Sequence, residues 1–411
     1  MTISQDALPS LPEGDLAELL RDPELWFYLQ NGTQFPDGGY AMGEAYSETA
    51  HWEPFQDLYF DWIKATYAGN YSSIEARQHI AYLFGLSSHG MGDQVFDSLY
   101  MQRAYVYDAA SDWDNTSMDQ ATDVAIGAAT GGQQTLEPYV PTDVFVPLMA
   151  EAGVTVDAET LEDGQFLTAV AITFGREAGS RPDQQELYRA QFPWAYDHMM
   201  DEGVDGAPYW ESMVVARYWQ VRWALLHDET SAFEPVMFTF PQDGDYAHPT
   251  DATSPESRVT VFFSRGLVAD LLQPDFFEVH DAAGNEIALN EPWVFYGVSS
   301  HAVHLSPVED WPADTDFTVT IHAGVPFIDG TTSLVESTFS FSTKPEPAAG
   351  NPEAPECGCA SAGSPWSRLA FGAAAVFVVG RCRRPGRGLA GSPPAKAARL
   401  AARLPIAAEI R

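Results

Sequence analysis

Two hydrophobic periods divide the chain. Over residues 16–228, apolar side chains recur every three or four positions, as at Ile80, Leu83 and Phe84, and this spacing predicts amphipathic helices. Over residues 233–343 the period changes to two, which is typical of strands with one buried face. The predicted strands are residues 258–263, 276–280, 301–305, 317–322 and 338–342, and residues 281–285 predict a hairpin loop.

The change of period predicts two folded domains. A chain of 411 residues is too long for one compact core, so we expect an all-α domain at residues 1–230 and an all-β sandwich at residues 231–344. The second domain resembles the bacterial Ig-like domains appended to secreted enzymes, on the runs Phe-Pro-Gln-Asp-Gly from Phe240, Val-Phe-Phe-Ser from Val261 and Ser-Thr-Phe-Ser-Phe-Ser-Thr from Ser337. Such domains are usually spacers or adhesion units, and no catalytic constellation is visible in this one.

The charge of the chain is unevenly distributed. The formal net charge is −37, and residues 1–345 contain 12 basic and 54 acidic side chains, whereas residues 346–411 contain 9 and 4. Such an acidic body disfavours non-specific binding to nucleic acid or anionic lipid, and no nucleic-acid partner is expected. The basic C-terminal segment must serve a different purpose from the folded body.

That C-terminal segment is typical of an export signal. We expect a Pro/Ala-rich linker at residues 345–365, a short apolar helix with an arginine cluster at residues 366–384, and a basic tail at residues 385–411. The apolar run 369–379 is shorter than the ~20 residues that span a bilayer. The order Cys357-Gly-Cys359, apolar helix and arginine cluster resembles the MYXO-CTERM type of bacterial sorting tail, and a partly buried or interfacial helix is the alternative.

The resemblance implies a protein exported to the bacterial envelope or beyond, held to the membrane through this tail. The N-terminal residues carry neither a basic stretch nor an apolar run, so no signal peptide is visible. We therefore expect that the chain begins downstream of the true start of the protein.

Candidate metal ligands are restricted to histidine and carboxylates. All three cysteines, Cys357, Cys359 and Cys382, lie in the tail, so the folded body has no thiolate to offer. Three helical-domain segments place ligand residue types at suggestive spacing; the candidates are Asp37, His51, His89, Asp93, Asp97, Asp119 and Asp123. Carboxylates with neutral imidazoles and no thiolate suit Zn²⁺ in a catalytic site.

Each candidate taken singly has a simpler interpretation. His89, Asp93 and Asp97 are spaced to share one helix face, but this pattern is weak evidence for a metal. Asp97 could equally be a solvated surface carboxylate, and Asp37 a turn residue beside Gly38. Asp119 fits a capping box with Thr116 as N-cap. His79 lacks carboxylates in step and is interpreted as structural.

The order of the motifs is more specific than any one of them. The chain reads Phe-Pro-Asp-Gly-Gly-Tyr from Phe35, Ser-Glu-Thr-Ala-His-Trp-Glu-Pro-Phe from Ser47, Leu-Phe-Gly-Leu-Ser-Ser-His-Gly-Met-Gly-Asp from Leu83 and Asp-x-x-x-Asp from Asp119. This series resembles the zinc-dependent phospholipase C/D family, and within it the catalytic domains of glycosylphosphatidylinositol-specific phospholipases D. The resemblance is clear over residues 31–129 and loose to residue 228.

The resemblance implies an all-α fold of the phospholipase C/P1-nuclease type with up to three Zn²⁺ ions. It makes Asp37 a ligand beside the attacking water and a candidate general base. It makes His51, His89 and Asp93 ligands, and it gives Asp119 and Asp123 the later ligand pair.

Two features depart from the family pattern. Asp97 stands where the family usually has a ligand histidine, so it is either a substitute carboxylate or a sign of a weakened site. No histidine precedes His51, although the family draws a ligand from its first helix.

The leading hypothesis is a secreted or surface-held zinc-dependent phosphodiesterase that hydrolyses phospholipid by metal-activated water. The alternatives are an S1/P1-type nuclease on the same fold and a catalytically degenerate surface adhesion protein. The sequence distinguishes neither C-type from D-type cleavage nor the head group, and it gives no oligomeric state.

Overall fold

The computed structural model describes residues 2–110, 115–131, 137–229, 235–297 and 299–345. The predicted sorting tail, including Cys357, Cys359 and Cys382, lies outside these residues, as does the side chain of Thr116. Among the residues that the structure describes, no helix is long and apolar enough to cross a membrane.

A helix-rich region precedes a β-sheet region, as the change of period predicts. The helices are α1 Thr2–Ala7, α2 Asp15–Arg21, α3 Trp26–Gln34, α4 Tyr46–His51, α5 Glu53–Tyr67, α6 Ile74–Val95, α7 Gln102–Tyr107, α8 Asn115–Thr130, α9 Thr142–Glu151, α10 Ala158–Gly179, α11 Pro182–Gln191, α12 Pro193–His198 and α13 Pro208–Leu226. Helices α6 and α13 contribute more side chains to one shared apolar core than the other helices do.

Helix α6 is the central element of this region and carries two of the candidate ligands. It begins at an N-cap, where the Ser73 hydroxyl accepts a hydrogen bond from the Ala76 amide, and most of its residues are buried. Glycines let neighbours approach its backbone closely. A Cβ at Gly85 would lie 2.0 Å from the Leu29 carbonyl oxygen of α3, and one at Gly90 would lie 2.1 Å from the carbonyl oxygen of His51. Gly90 therefore allows α4 to end directly against α6.

The end of α6 differs from the straight helix that the spacing of His89, Asp93 and Asp97 predicts. The α-helix ends at Val95, and Asp97 lies in a π-helical segment, Phe96–Met101. The wider turn rotates Asp97 away from the row of His89 and Asp93, and such segments are frequent at functional sites.

The second region is a sandwich of two antiparallel sheets. Its strands are β1 Val236–Phe240, β2 Val259–Phe263, β3 Phe277–Asp281, β4 Ala302–Leu305, β5 Asp316–Ile321 and β6 Ser337–Ser342. The sheet orders are β1-β2-β4 and β3-β5-β6. All five predicted runs form strands, and the predicted hairpin loop closes where the Asp281 amide donates to the Asn285 carbonyl. Strand β1 was not among the predicted runs.

Strand β2 packs on both of its faces, and every one of its residues is buried. Val259, Val261 and Phe263 point into the sandwich core, whereas Phe262 packs with Met237 in the helical core. The outer face of the first sheet therefore lies against helices instead of solvent. This arrangement explains why four of the five residues of β2 are apolar, with Thr260 the exception.

A buried polar junction joins the two regions around Glu53, at the start of α5. One carboxylate oxygen accepts a hydrogen bond from the Gly266 amide at 2.7 Å, and the other accepts one from the Tyr218 hydroxyl at 3.2 Å. Burial would raise the pKa of Glu53, but the nearby cationic forms of His301 and Arg222 outweigh it and lower the pKa to about 2. The junction fixes the β-region beside the residues that follow His51.

Candidate metal centre

Four of the candidate side chains converge at one point of the helical region. The Nε2 atoms of His51 and His89 are 3.1 Å apart. Asp37 Oδ1 lies 3.6 Å from the first nitrogen and 3.5 Å from the second. Asp93 Oδ2 lies 3.5 Å from both. The structure thus brings Asp37, His51, His89 and Asp93 together, and the first three form a group whose ligand atoms could share one ion.

Short-range structure holds each of the four side chains in place. Asp37 lies in a 3₁₀ turn, Pro36–Met42, and His51 is the last residue of α4. Gly38 and Gly39 leave the turn no room for side chains, because a Cβ on either would lie under 3 Å from Tyr46 or Ser47. His89 and Asp93 are one turn apart on α6, so both point toward the end of α4.

The tautomer of His51 is set by its other ring nitrogen. His51 Nδ1 lies 2.6 Å from the carbonyl oxygen of Ser47, which can only accept a hydrogen bond. Nδ1 must therefore carry the proton, and in the neutral ring Nε2 is left with a lone pair that faces His89. A histidine oriented in this way is the usual arrangement for a metal ligand.

The two histidine side chains are largely buried, and the two aspartate side chains are partly exposed. His51 and His89 are 4% and 14% exposed, whereas Asp37 and Asp93 are 50% and 37% exposed. Burial would lower the pKa of His89, but Asp93 and Asp37 outweigh it and raise the pKa to about 9. The surrounding protein opposes ionisation of Asp37, and the two imidazoles together hold its pKa well below the usual range. The cluster thus attracts a positive charge into its centre.

A cavity of about 410 Å³ opens beside these residues. Asp37, His89 and Asp93 line one side of it, and apolar side chains of α8 and α10, among them Ile126 and Leu167, line the other. This volume is in the range of small-molecule sites. The candidate ligands therefore face a space that can admit a substrate.

The remaining predicted ligands, Asp97, Asp119 and Asp123, lie near the four. Asp123 lines the same cavity, and Asp97 accepts a hydrogen bond from the Tyr296 hydroxyl. Burial, reinforced by neighbouring carboxylates, raises the pKa of Asp97 to about 7, of Asp119 to about 8 and of Asp123 to about 6. These values indicate a cluster of negative charges that protons or cations must offset.

Two residues at the site were not among the candidates predicted from the sequence. Glu211, in the first turn of α13, is buried and lines the cavity. Acidic residues are common in the first turn of a helix, so the position of Glu211 in the sequence does not indicate a functional role. Tyr296 belongs to a loop of the β-region, and its ring packs on Trp52 at 4.5 Å. Only the junction between the two regions brings it to Asp97.

His79, which the sequence analysis interprets as structural, contacts residues away from the candidate metal centre. His79 Nδ1 lies 2.7 Å from the Tyr59 hydroxyl, and its ring packs edge-on against Trp62 at 4.8 Å. His79 therefore belongs to the packing of α5 against α6, nearly three helical turns from His89.

Comparison with known families identifies the class of the β-region. Residues 232–343 match the model of the bacterial Ig-like domain. This part of the chain is thus a bacterial Ig-like domain, and its observed strands fall within the match. No curated protein matches the chain.

Solved structures share only remote similarity with the chain. CopC from Methylosinus trichosporium OB3b is 13% identical with a TM-score of 0.20, over 28% of this chain and 99% of its own. Domains 1–6 of the surface layer protein SbsC are 13% identical with a TM-score of 0.22, over 80% of this chain and 45% of theirs. The N-terminal part of the same S-layer protein is 15% identical with a TM-score of 0.22, over 80% and 78%. Scores this low carry no argument about function.

Proposed function

We propose that the protein is a metal-dependent phosphodiesterase that hydrolyses phospholipid, with Zn²⁺ as its cation. The observation that carries the proposal is the convergence of two imidazole nitrogens and two carboxylate oxygens at 3.1–3.6 Å beside a cavity. The phospholipid substrate comes from the resemblance of residues 31–129 to the zinc-dependent phospholipase C/D family.

The donor set fits zinc. Zn–N and Zn–O bonds of ~2.0–2.1 Å place the ligand atoms of a tetrahedral ion about 3.3–3.4 Å apart. The separations among Asp37, His51 and His89 are 3.6, 3.5 and 3.1 Å. The proton that Ser47 holds on His51 Nδ1 leaves Nε2 free to bind. Asp37, His51 and His89 would hold the first ion, with Asp93 against the same two imidazoles.

The chain's own groups fit a hydrolysis in the cavity. A bound zinc ion supplies a water of pKa near ~7 and stabilises charge that develops on the phosphate. Asp37 is half exposed toward the cavity and can accept a proton from water there. Arg176 is among the residues that line the same cavity, and a guanidinium binds a phosphate oxygen well. The apolar wall of α8 and α10 suits the non-polar part of a lipid.

The charge of the chain favours lipid over nucleic acid as substrate. The body, residues 1–345, with 12 basic and 54 acidic side chains, repels a polyanion outside the cleft. The Ig-like domain is of a type found on bacterial secreted enzymes, and it supports the proposal that the protein acts at or outside the cell envelope. The alternative hypothesis, an S1/P1-type nuclease, predicts that nucleic acid is preferred to phospholipid.

The proposal is tested by metal content and hydrolysis together. The purified protein should contain zinc and should hydrolyse phosphatidylcholine vesicles in a reaction that a chelator abolishes. His89→Ala and Asp93→Asn should each lower zinc content and reduce the rate by about 100-fold or more, because the nucleophile depends on the ion. His79→Gln, on the same helix, and His227→Gln, on the surface, should keep both.

Each failure has a distinct meaning. Protein without zinc, or full activity in His89→Ala, contradicts the metal centre. Zinc-containing protein that cleaves single-stranded DNA and leaves phosphatidylcholine intact supports the nuclease reading. Zinc-containing protein that cleaves neither substrate leaves a surface adhesion protein with a structural ion.

A further inference from the structure

Helix α10 presents a row of large apolar side chains to solvent. Phe166 and Phe174 are 43% and 65% exposed, and the half-buried Val170 lies between them. A spacing of four residues places the three side chains on one face of the helix. Single exposed apolar residues are common on protein surfaces, but a row of them on one helix face indicates an interaction surface.

This face continues into the wall of the cavity. Leu167 and Ala171 each follow a residue of the row along the helix, and both also line the cavity. Gly175 lines it as well, and a Cβ there would meet open space among the described residues. The cavity is therefore open along this side of α10, and an apolar surface leads from solvent to the space beside the candidate metal centre.

The same stretch of α10 carries no charge, although the chain is rich in charge. Residues 164–175 contain no acidic or basic side chain, with Asp163 directly before them and Arg176 directly after. The body as a whole, residues 1–345, contains 54 acidic and 12 basic side chains. A body of this charge repels a second copy of itself as well as an anionic surface. An apolar partner with no net charge therefore suits this face best.

We propose that the face of α10 formed by Phe166, Val170 and Phe174 docks on the surface of a zwitterionic phospholipid bilayer. The inference rests on the proposed function, since the phospholipid substrate is what selects a bilayer as the occupant. Amphipathic helices with phenylalanine and leucine on one face bury that face at the boundary between head groups and acyl chains. Docking in this way gives a lipid a path along Leu167 and Ala171 into the cavity.

The first test is sedimentation of the full chain with phosphatidylcholine vesicles, in the presence of a chelator so that the vesicles are not hydrolysed. The double substitution Phe166→Ser and Phe174→Ser should lower the partition of the protein onto vesicles by about tenfold or more, because two phenyl rings no longer leave water. Phe166→Leu with Phe174→Leu should retain most of the binding. The matched control, Leu334→Ser with Val335→Ser, removes two exposed apolar side chains from the Ig-like domain and should bind as the parent does.

Hydrolysis gives the second measurement. The serine double variant should lose rate on vesicles in step with its loss of binding. Its rate on monomeric, short-chain phosphatidylcholine should equal that of the parent, because neither phenylalanine is among the residues that line the cavity. If the double substitution disturbs the fold, Phe174→Ser, at the more exposed position, replaces it.

Several results overturn the inference and leave the proposed function standing. They are a parent that does not bind vesicles, a serine variant that binds them as the parent does, and an equal loss of binding in the Ig-like domain control. A parent that forms dimers, which the serine substitutions dissociate, assigns the face to a second copy and also overturns it. An equal loss of rate on vesicles and on monomers places the phenylalanines in the site itself, with the same consequence. A parent that hydrolyses neither form of phosphatidylcholine but binds vesicles through Phe166 and Phe174 overturns the proposed function and supports the docking face.

Discussion

His51 illustrates how one backbone contact determines what a side chain can bind. The Ser47 carbonyl takes the Nδ1 proton, so Nε2 of the neutral ring has only a lone pair to present. Facing it at 3.1 Å is the equivalent nitrogen of His89. Two imidazole nitrogens at this distance require a cation or a proton between them, and Asp37 and Asp93 supply the opposite charge. The chemistry of the site is therefore specified by local geometry, one residue at a time.

Individual residues also show which parts of the site can be predicted from the sequence. Asp37, His51, His89 and Asp93 lie in short motifs whose order carries a family resemblance, and the structure brings these four together. Asp97 and Glu211 differ, because the position of each depends on something that no short motif encodes. For Asp97 this is the π-helical segment, and for Glu211 it is the packing of α13 against the end of α6.

His304, inside the Ig-like domain, gives a prediction on pH. It is fully buried, its Nδ1 lies 2.9 Å from the Thr260 hydroxyl, and burial together with Arg258 lowers its pKa to about 3. The folded form therefore stays neutral where the unfolded chain, with a pKa near ~6.5, takes up a proton. Stability is complete above that pH and is lost as the pH falls toward 3. By pH 5 the loss should be about 2 kcal/mol.

Chemical denaturation at pH 7 and pH 5 checks this prediction. His304→Gln should be less stable than the parent at pH 7 but should lose less stability on acidification. The exposed His227→Gln should show the full loss of the parent. A His304→Gln profile parallel to that of the parent would assign the acid sensitivity to other groups.

At the scale of elements, close approach of backbones makes the site possible. Helix α4 is six residues long and could not hold its orientation alone. It is fixed because Gly90 lets the His51 carbonyl lie against α6, and because Gln56 donates a hydrogen bond to the same carbonyl at 2.8 Å. The candidate metal ligand at the end of α4 is thus placed by a residue without a side chain.

Gly90→Ala should therefore disturb both stability and metal binding. The new Cβ would lie 2.1 Å from the His51 oxygen, so α4 must move, at a cost of roughly 1–3 kcal/mol. Zinc affinity should fall together with the melting temperature. Gly175→Ala is the matched control in α10, where no atom lies within 4 Å of the added Cβ, and it should be neutral or stabilising by up to about 1 kcal/mol. Equal effects of the two substitutions would contradict this explanation.

The hydrophobic period of the sequence is most reliable as a predictor of helices and strands. Each of the five predicted runs forms a strand with one face in the sandwich core, and the helical span follows the three-to-four spacing. Strand β1 escaped this pattern because both of its faces are partly covered: Val236 packs against the sandwich core, whereas Met237 and Phe240 belong to the helical core. Alternation of apolar and polar residues identifies a strand that is buried on one face. The alternation is weaker where tertiary contacts also cover the other face.

For the whole molecule, the junction at Glu53 makes the two regions interdependent. Arg222 is 3% exposed and lies within 3.6 Å of Glu53, and His301 approaches the same carboxylate at 3.5 Å from the Ig-like domain. Neither side chain has access to bulk water. The junction therefore depends on a complete set of partners.

Glu53→Ala should destabilise the protein by about 3–5 kcal/mol, because it leaves the buried Gly266 amide and Tyr218 hydroxyl without an acceptor and leaves Arg222 with Asp57 as its one remaining ion-pair partner of the two. Glu53→Gln keeps an acceptor for Gly266 and should cost less. Glu186→Ala, an exposed glutamate on α11, should stay within about 0.5 kcal/mol of the parent. Denaturation followed by tryptophan fluorescence gives the three values, and a Glu53→Ala protein as stable as Glu186→Ala would show that the junction is not important for stability.

Strand β2, buried on both faces, has a consequence for how this protein can change over evolutionary time. Ig-like modules are readily gained, lost and exchanged when a linker is all that connects them to their neighbours. Here one sheet is seated on the helices through Phe262 and Met237, and Tyr296 reaches across to Asp97. Removing the module would expose an apolar surface and withdraw a hydroxyl from the cleft at the same time. The two regions are therefore a single heritable unit, and substitutions on one side of the boundary should be accompanied by matching substitutions on the other.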